Sequence, residues 1–120
     1  MARLLSLPTF CDHKGALTVI EKVLPFEIKR VYYIYHAKGQ RGGHRHKETL
    51  QALVSICGSC EVYTDNGQDH STFILDAPDK ILLLDCRDWH TMSHFTPDNV
   101  LLVLASEFYD RDDYIDERYE

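Results

Sequence analysis

The chain has 120 residues, of which 44% are hydrophobic, and it carries a formal net charge of -6. This length fits one domain, and the apolar fraction is sufficient for a single core without disulfide or metal crosslinks. The negative charge argues against a protein that binds nucleic acid or an anionic membrane, because both require a concentrated basic face. No stretch approaches the ~18 apolar residues of a membrane helix, and the N-terminus lacks a signal-peptide pattern, so we expect a cytoplasmic protein.

The four cysteines fit reduced thiols in that compartment. Cys57 and Cys60 form a C-x-x-C pair, but a structural zinc site needs a second pair of ligands at similar spacing. Neither Cys11 nor Cys86 has such a partner. We therefore expect these thiols to act as small apolar residues rather than as a zinc or redox site.

Short runs of alternating or β-branched residues recur along the chain, roughly every 8 to 12 residues, with turn signals between them. Residues 26–35 are one such run, and residues 60–64 and 70–75 flank the hairpin signal Asp65-Asn66-Gly67. This pattern predicts an all-β sandwich or barrel, without repeats or linkers. At the end of the chain, Asp110 is expected to cap a short helix.

This C-terminal helix is predicted to carry Tyr114, Ile115 and Tyr119 on one side. The repeated acidic residues of the same segment are equally typical of a solvent-exposed tail.

Two histidines mark the candidate site. In an extended segment, His44 and His46 lie on the same face, roughly 6.5 to 7 Å apart. Because imidazole has an unperturbed pKa close to neutrality, such a pair can form either a metal site or an acid and base.

The spacing His-x-His-x4-Gln-x6-Gly, from His44 through Gln51 to Gly58, resembles the first cupin motif, and His90 falls at the histidine of the second motif. Metal-binding cupins carry a glutamate where this chain has Gln51. The neutral amide removes the anionic ligand that would offset a divalent cation and leaves at most three histidines. We therefore do not favour a required metal.

A wider set of blocks resembles the WxcM-like family of sugar-nucleotide 3,4-ketoisomerases. The matching blocks extend from about residue 12 to residue 115, nearly the whole chain, and include Ile28-Lys29-Arg30-Val31-Tyr32-Tyr33-Ile34, Arg41-Gly42-x-His44-x-His46-Lys47, Gly58-Ser59, Trp89-His90-x-Met92, Leu102-Val103-Leu104-Ala105-Ser106, Tyr109-Asp110 and Asp113-Tyr114-Ile115.

This resemblance implies one domain over residues 1–120, a double-stranded β-helix of the cupin type. It also implies a homodimer that exchanges an N-terminal strand between subunits. The implied substrate is a dTDP-linked 4-keto-6-deoxyhexose, whose ketone moves from C4 to C3 without a metal or an organic cofactor. The configuration of the product at C4, gluco or galacto, stays open.

Site residues also follow from the resemblance. His44 matches the family's general base, His46 its companion histidine, and Tyr32 the phenol that orients or relays the proton. Arg30 and Arg41 match positive positions in the cleft, which suits a diphosphate because arginine binds phosphate oxygens in a bidentate manner.

Four further positions complete the expected substrate site. Lys14 and Gly15 resemble an early Asp-x-Arg-Gly turn that reaches the nucleotide, with lysine in place of arginine. Trp89 is expected to form a wall of the sugar pocket, and His90 to face the same cavity. Tyr33, on the opposite strand face from Tyr32, is expected to be structural.

The expected function is a 3,4-ketoisomerase that acts by histidine general-base catalysis through an enediol. Three alternatives remain open: a sugar-nucleotide epimerase, a non-catalytic sugar-nucleotide binding module, and a metal-dependent cupin oxygenase. The first shares the initial deprotonation, the second would bind without turnover, and the third would be sensitive to chelators.

Overall fold

The structure, a computed structural model, describes residues 1–120, and its regular secondary structure is almost entirely β-strand. The strands in chain order are β1 Arg3–Ser6, β2 Thr9–Asp12, β3 Gly15–Thr18, β4 Arg30–Tyr35, β5 Arg41–His46, β6 Gln51–Cys57, β7 Cys60–Asp65, β8 His70–Leu75, β9 Lys80–Leu84, β10 Trp89–Ser93, β11 Val100–Ala105 and β12 Tyr114–Ile115. The all-β expectation is confirmed. No helix has the length and apolar character needed to span a bilayer.

Two five-stranded antiparallel sheets form the body of the molecule, with the strand orders β1-β9-β6-β11-β4 and β12-β5-β10-β7-β8. Strands that are neighbours in a sheet are mostly distant in sequence, as expected when two sheets are wound together. The hairpin β2-β3 forms a separate two-stranded sheet. This arrangement agrees with the cupin β-sandwich expected from the resemblance.

The main core lies between the two large sheets. Leu53, Leu82 and Leu101 project from the first sheet, and Val62 and Leu75 from the second, and all five are at most 1% exposed. Burying side chains of this size stabilises the fold by roughly 1.5–3 kcal/mol each. The hydrophobic effect therefore fixes the two sheets face to face, with their inner strand faces toward one another.

Strand β4 shows the alternation that its sequence predicts. Tyr32 and Ile34 point inward and are partly buried, whereas Val31, Tyr33 and Tyr35 are 55%, 62% and 57% exposed on the outer face. Because successive side chains of a strand point to opposite faces, Tyr32 and Ile34 are the β4 side chains directed into the space between the sheets.

The C-terminal segment differs from the expectation. Asp110 caps a helix as predicted, but this is a 3-10 helix of three residues, Arg111–Asp113. Tyr114 and Ile115 are not helical, since they form β12 and pair with His46 and Arg45 of β5. The edge of β5 has backbone N–H and C=O groups that would otherwise lack hydrogen-bond partners. A strand can pair with these groups, whereas a longer helix could not.

The residues that follow β12 are not a fully solvated end. The Tyr119 hydroxyl donates a hydrogen bond of 2.8 Å to the Arg87 carbonyl, and the guanidinium of Arg45 lies 4.5 Å from the centroid of the Tyr119 ring. The tail thus packs along the outer face of the second sheet.

We predict that Gly42 and Gly43 differ sharply in their tolerance of alanine, although their φ angles are nearly equal at +84° and +83°. Both substitutions should cost about 1–2 kcal/mol for the left-handed backbone. Gly42→Ala should cost about 1–3 kcal/mol more, because a Cβ there would lie 2.9 Å from the His90 carbonyl oxygen, whereas Gly43 has open space. Urea unfolding measures both losses, and equal losses would contradict this account of the β5-β10 contact.

Candidate active site

A cavity of about 490 Å³ lies at one end of the space between the sheets. This volume is within the range typical of small-molecule sites. The residues with polar side chains that line it come from β4, β5, β6, β10 and β12: Arg30, Tyr32, Tyr33, Tyr35, Arg41, His44, Gln51, His90 and Tyr114. Residues far apart in sequence therefore share one cavity.

Three histidines form a cluster at this cavity. His44 and His46 lie on the same face of β5, and the pairing of β5 with β10 places His90 opposite His44. The ring centroid of His44 is 5.1 Å from that of His46 and 5.0 Å from that of His90. His44 is half-buried and lines the cavity, whereas His46, only 4% exposed, lies behind it.

Burial keeps this cluster uncharged. Desolvation, and then the neighbouring His46, lower the pKa of His44 to about 4. Desolvation also lowers the pKa of His90 to about 3 and lowers that of His46, although the Asp113 carboxylate opposes the latter shift. All three imidazoles are therefore neutral near pH 7 and retain a lone pair that can accept a proton.

Tyr32 lies across the cavity from the histidines. The Gln51 side-chain amide donates a hydrogen bond of 3.1 Å to its hydroxyl oxygen, and the Arg30 guanidinium lies 4.4 Å from its ring centroid. Burial, and then Tyr114, raise the pKa of Tyr32 above its ordinary value. The phenol is therefore protonated at neutral pH and can donate a hydrogen bond.

Gln51 occupies the position where metal-binding cupins carry glutamate. Its side chain is 4% exposed and donates a hydrogen bond to the Tyr32 hydroxyl. It also lies beside His46, where it opposes the lowering of the His46 pKa by burial. No group of three or more His, Cys, Asp or Glu side chains is arranged to hold a metal ion.

The structure brings together most of the predicted site residues. Arg30 and Arg41 line the cavity with the histidines and supply its positive charge. Trp89 does not, contrary to expectation. Since side chains alternate along β10 and His90 faces inward, Trp89 faces the opposite side, where its indole donates a hydrogen bond of 3.0 Å to the Asp116 carbonyl.

Lys14 and Gly15 also lie apart from this cavity. They form the turn of the β2-β3 hairpin, where the Lys14 backbone N–H donates a hydrogen bond of 2.8 Å to the Asp12 carboxylate. Their side of the hairpin borders a separate surface recess.

Two residues at the site were not predicted to belong to it. The Tyr114 ring lies 4.6 Å from that of His44 and 4.7 Å from that of His46, measured between centroids. Asp113 accepts a hydrogen bond of 2.9 Å from Nδ1 of His46. Both belong to the block Asp113-Tyr114-Ile115 of the resemblance, which was the one available signal for them.

The family model described as "FdtA: WxcM-like, C-terminal" matches residues 1–120. The chain belongs to this family. It is 43% identical over 117 residues to a TDP-4-oxo-6-deoxy-alpha-D-glucose-3,4-oxoisomerase of Aneurinibacillus thermoaerophilus, a match that covers 94% of this chain and 84% of that protein.

Solved structures show the same relationship. A 3,4-ketoisomerase from Helicobacter canadensis superimposes with a TM-score of 0.91 at 39% identity, covering 97% of this chain and 90% of that one. A mutant of the 3,4-ketoisomerase QdtA from Thermoanaerobacterium thermosaccharolyticum, in complex with TDP-4-keto-6-deoxyglucose, gives 0.91 at 38% identity, covering 97% and 87%.

We predict that the folded state loses stability as the pH falls from about 6.5 toward 4. In this window the unfolded chain protonates His44 and His90, whose ordinary pKa is 6.5, while the folded state with pKa values of about 4 and 3 does not. Stability therefore rises with pH across the window. Urea unfolding from pH 4 to 7 measures the free energy of unfolding. His90→Gln should reduce the dependence of that free energy on pH, and the exposed control His70→Gln should not. A free energy of unfolding that does not change with pH in the wild type would contradict the burial argument.

Proposed function

We propose that this protein is a sugar-nucleotide 3,4-ketoisomerase that converts TDP-4-keto-6-deoxyglucose into a TDP-3-keto-6-deoxyhexose. Membership of the family and the names of the relatives above support this activity. The observation that carries the proposal is the set of neutral imidazoles and a protonated phenol around one cavity of about 490 Å³.

The reaction consists of two proton transfers at carbon and the movement of one proton between oxygens. A base removes the proton bound to C3 while the C4 oxygen is protonated, which gives an enediol between C3 and C4. A proton is then returned to C4 while the C3 hydroxyl gives up its own proton. The C3 hydroxyl becomes the ketone and the C4 ketone becomes a hydroxyl. Because all hydrogen and electrons are conserved within the sugar and its proton carriers, the conversion needs no external oxidant or reductant.

His44 is the proposed general base, because its neutral imidazole lines the cavity. A pKa of about 4 makes the free imidazole a weak base, and efficient proton transfer favours a pKa closer to the working pH. Proton removal by this weak base is made easier because a carbon next to a ketone is acidic and because other groups stabilise the developing oxyanion. A bound anionic sugar nucleotide would also raise the pKa of His44.

The other residues would bind and orient the substrate. Tyr32 is proposed to donate a hydrogen bond to the ketone or enediolate oxygen, and His46 to support His44 from behind. His90 would contact the sugar from the opposite strand. Arg30 and Arg41 provide the cationic donors that a diphosphate requires.

A homodimer is part of this proposal. The hairpin that carries Lys14 and Gly15 exposes 65% of Phe10 and 60% of Leu17, more than a hairpin of an isolated monomer would be expected to leave in water. We propose that the N-terminal strands are exchanged or docked between two copies, so that Lys14 reaches the nucleotide bound in the partner subunit.

We predict that the protein, incubated with TDP-4-keto-6-deoxyglucose in deuterated buffer, forms a 3-keto product that carries solvent deuterium at C4. His44→Asn should abolish turnover and leave the fold intact, because an amide cannot accept the proton. NMR of the sugar measures both results. Deuterium incorporation with inversion and no 3-keto sugar would indicate an epimerase, and binding without exchange would indicate a binding module.

A tyrosine away from the cavity provides a matched control in the same assay. Tyr32→Phe should lower kcat by roughly 10- to 100-fold, because a donor to the oxyanion is lost. Tyr63→Phe should leave kcat unchanged, since Tyr63 is on β7 and does not line the cavity. Equal effects of the two substitutions would remove Tyr32 from the mechanism.

We predict that two inactive variants complement each other if Lys14 acts across a dimer interface. His44→Asn and Lys14→Ala subunits, unfolded together and refolded as a mixture, should give activity above either parent, since one site of each mixed dimer has both residues intact. Sedimentation equilibrium should give about twice the subunit mass of 13.9 kDa. A monomeric mass, or no gain on mixing, would contradict the proposal.

A further inference from the structure

Asp113 has a carboxylate whose orientation is fixed by several donors. The side chain is 10% exposed and accepts hydrogen bonds from Nδ1 of His46 at 2.9 Å, from the backbone N–H of Glu48 at 2.8 Å and from the Thr49 hydroxyl at 2.5 Å. Its backbone carbonyl accepts a further bond of 2.8 Å from the N–H of Lys47. The residue is thus held against the end of β5 by both its main chain and its side chain.

These donors also determine the charge of the carboxylate. Burial alone would raise the pKa of Asp113, but the bonds from Thr49, Glu48 and His46 outweigh burial and lower it. The carboxylate is therefore ionised at neutral pH and can only accept hydrogen bonds.

The contact decides which nitrogen of His46 carries the proton. Because His46 is neutral near pH 7 and an ionised carboxylate faces Nδ1, the proton must be on Nδ1 and the lone pair on Nε2. Nε2 is buried and has no hydrogen-bond partner in the structure. A buried acceptor without a partner is uncommon in folded proteins, and a catalytic role is one of the reasons for which such a group is kept.

We propose that Asp113 is a positioning residue of the isomerase, which holds His46 in the Nδ1–H form so that Nε2 presents a lone pair to the histidine and tyrosine cluster of the cavity. This inference rests on the proposed function. The cluster beside Nε2 includes the rings of His44 and Tyr114, at centroid distances of 5.1 Å and 4.7 Å from His46. Because Nε2 is buried and His46 does not line the cavity, the lone pair accepts a hydrogen bond from a neighbouring side chain of this cluster during the reaction.

The alternative is that Asp113 acts as a tether alone, which joins the 3-10 helix to the end of β5. A tether would require the bonds to Glu48 and Thr49 but would not depend on the tautomer of His46. The two roles therefore separate when the tautomer is measured directly and when each bond is removed in turn.

The first experiment uses the unmodified protein. Long-range proton-nitrogen NMR of the histidine rings should show His46 with a protonated Nδ1 and an unprotonated Nε2 at pH 7. A wild-type His46 with its proton on Nε2 would overturn the proposal. This measurement needs no substrate, so it can succeed even if the proposed isomerase activity is not found.

The second experiment compares three variants with TDP-4-keto-6-deoxyglucose as substrate. Asp113→Asn should lower kcat by roughly 10- to 100-fold, the typical loss when the partner of a functional histidine is removed. KM should change little, and the His46 tautomer should change, because an amide can donate to Nδ1. The control Asp112→Asn, at an exposed neighbour, should keep both the activity and the tautomer of the wild type.

Thr49→Val removes one bond to the carboxylate without touching His46. We expect it to preserve the Nδ1–H form and most of kcat, whereas a tether would be weakened by it. Normal kcat in a folded Asp113→Asn variant, or a large loss of kcat in Thr49→Val with the tautomer unchanged, would overturn the proposal. If Asp113→Asn does not fold, the wild-type tautomer and Thr49→Val decide between the two roles.

Discussion

The antiparallel pairing of β5 with β10 is the constraint on which the site depends. It places His44 opposite His90, and it continues past a register shift to pair Thr91 with Gly42. A side chain at Gly42 would meet the backbone of β10 at 2.9 Å, so the close approach of the two strands requires glycine. The glycine before the histidines thus serves the geometry of the site as well as the turn.

Burial of the histidines has a cost and a consequence. Three imidazoles with lowered pKa values reduce the free energy of unfolding in acid, because their unfolded forms bind protons at a pH where the folded forms do not. The same desolvation keeps their lone pairs free at neutral pH. The proposed proton transfer needs unprotonated acceptors beside protonated donors, and the lowered pKa of His44 and the raised pKa of Tyr32 would provide this pair.

Sequence reasoning predicted the parts of the site that follow from local alternation. It placed His44 and His46 on one face, and it separated Tyr32 from Tyr33. The wrong expectation for Trp89 could have been avoided by the same rule, because neighbours on a strand face opposite ways and His90 was expected to face inward. Asp113 and Tyr114 could not be derived in this way, since the bond from His46 to Asp113 joins residues 67 positions apart.

The charges around the cavity also explain why glutamine suits position 51. Arg30 and Arg41 line the space, and the carboxylate of Asp113 is directed at Nδ1 of His46 behind it. The lining is therefore positive overall, which disfavours a divalent cation and favours a diphosphate and a developing enediolate. A glutamate at position 51 would place an anion beside Tyr32 and repel the negative charge of the proposed enediolate oxygen, whereas the Gln51 amide donates a hydrogen bond to the phenol. The neutral amide of Gln51 therefore leaves the electrostatic potential of the cavity positive, which favours binding of anions.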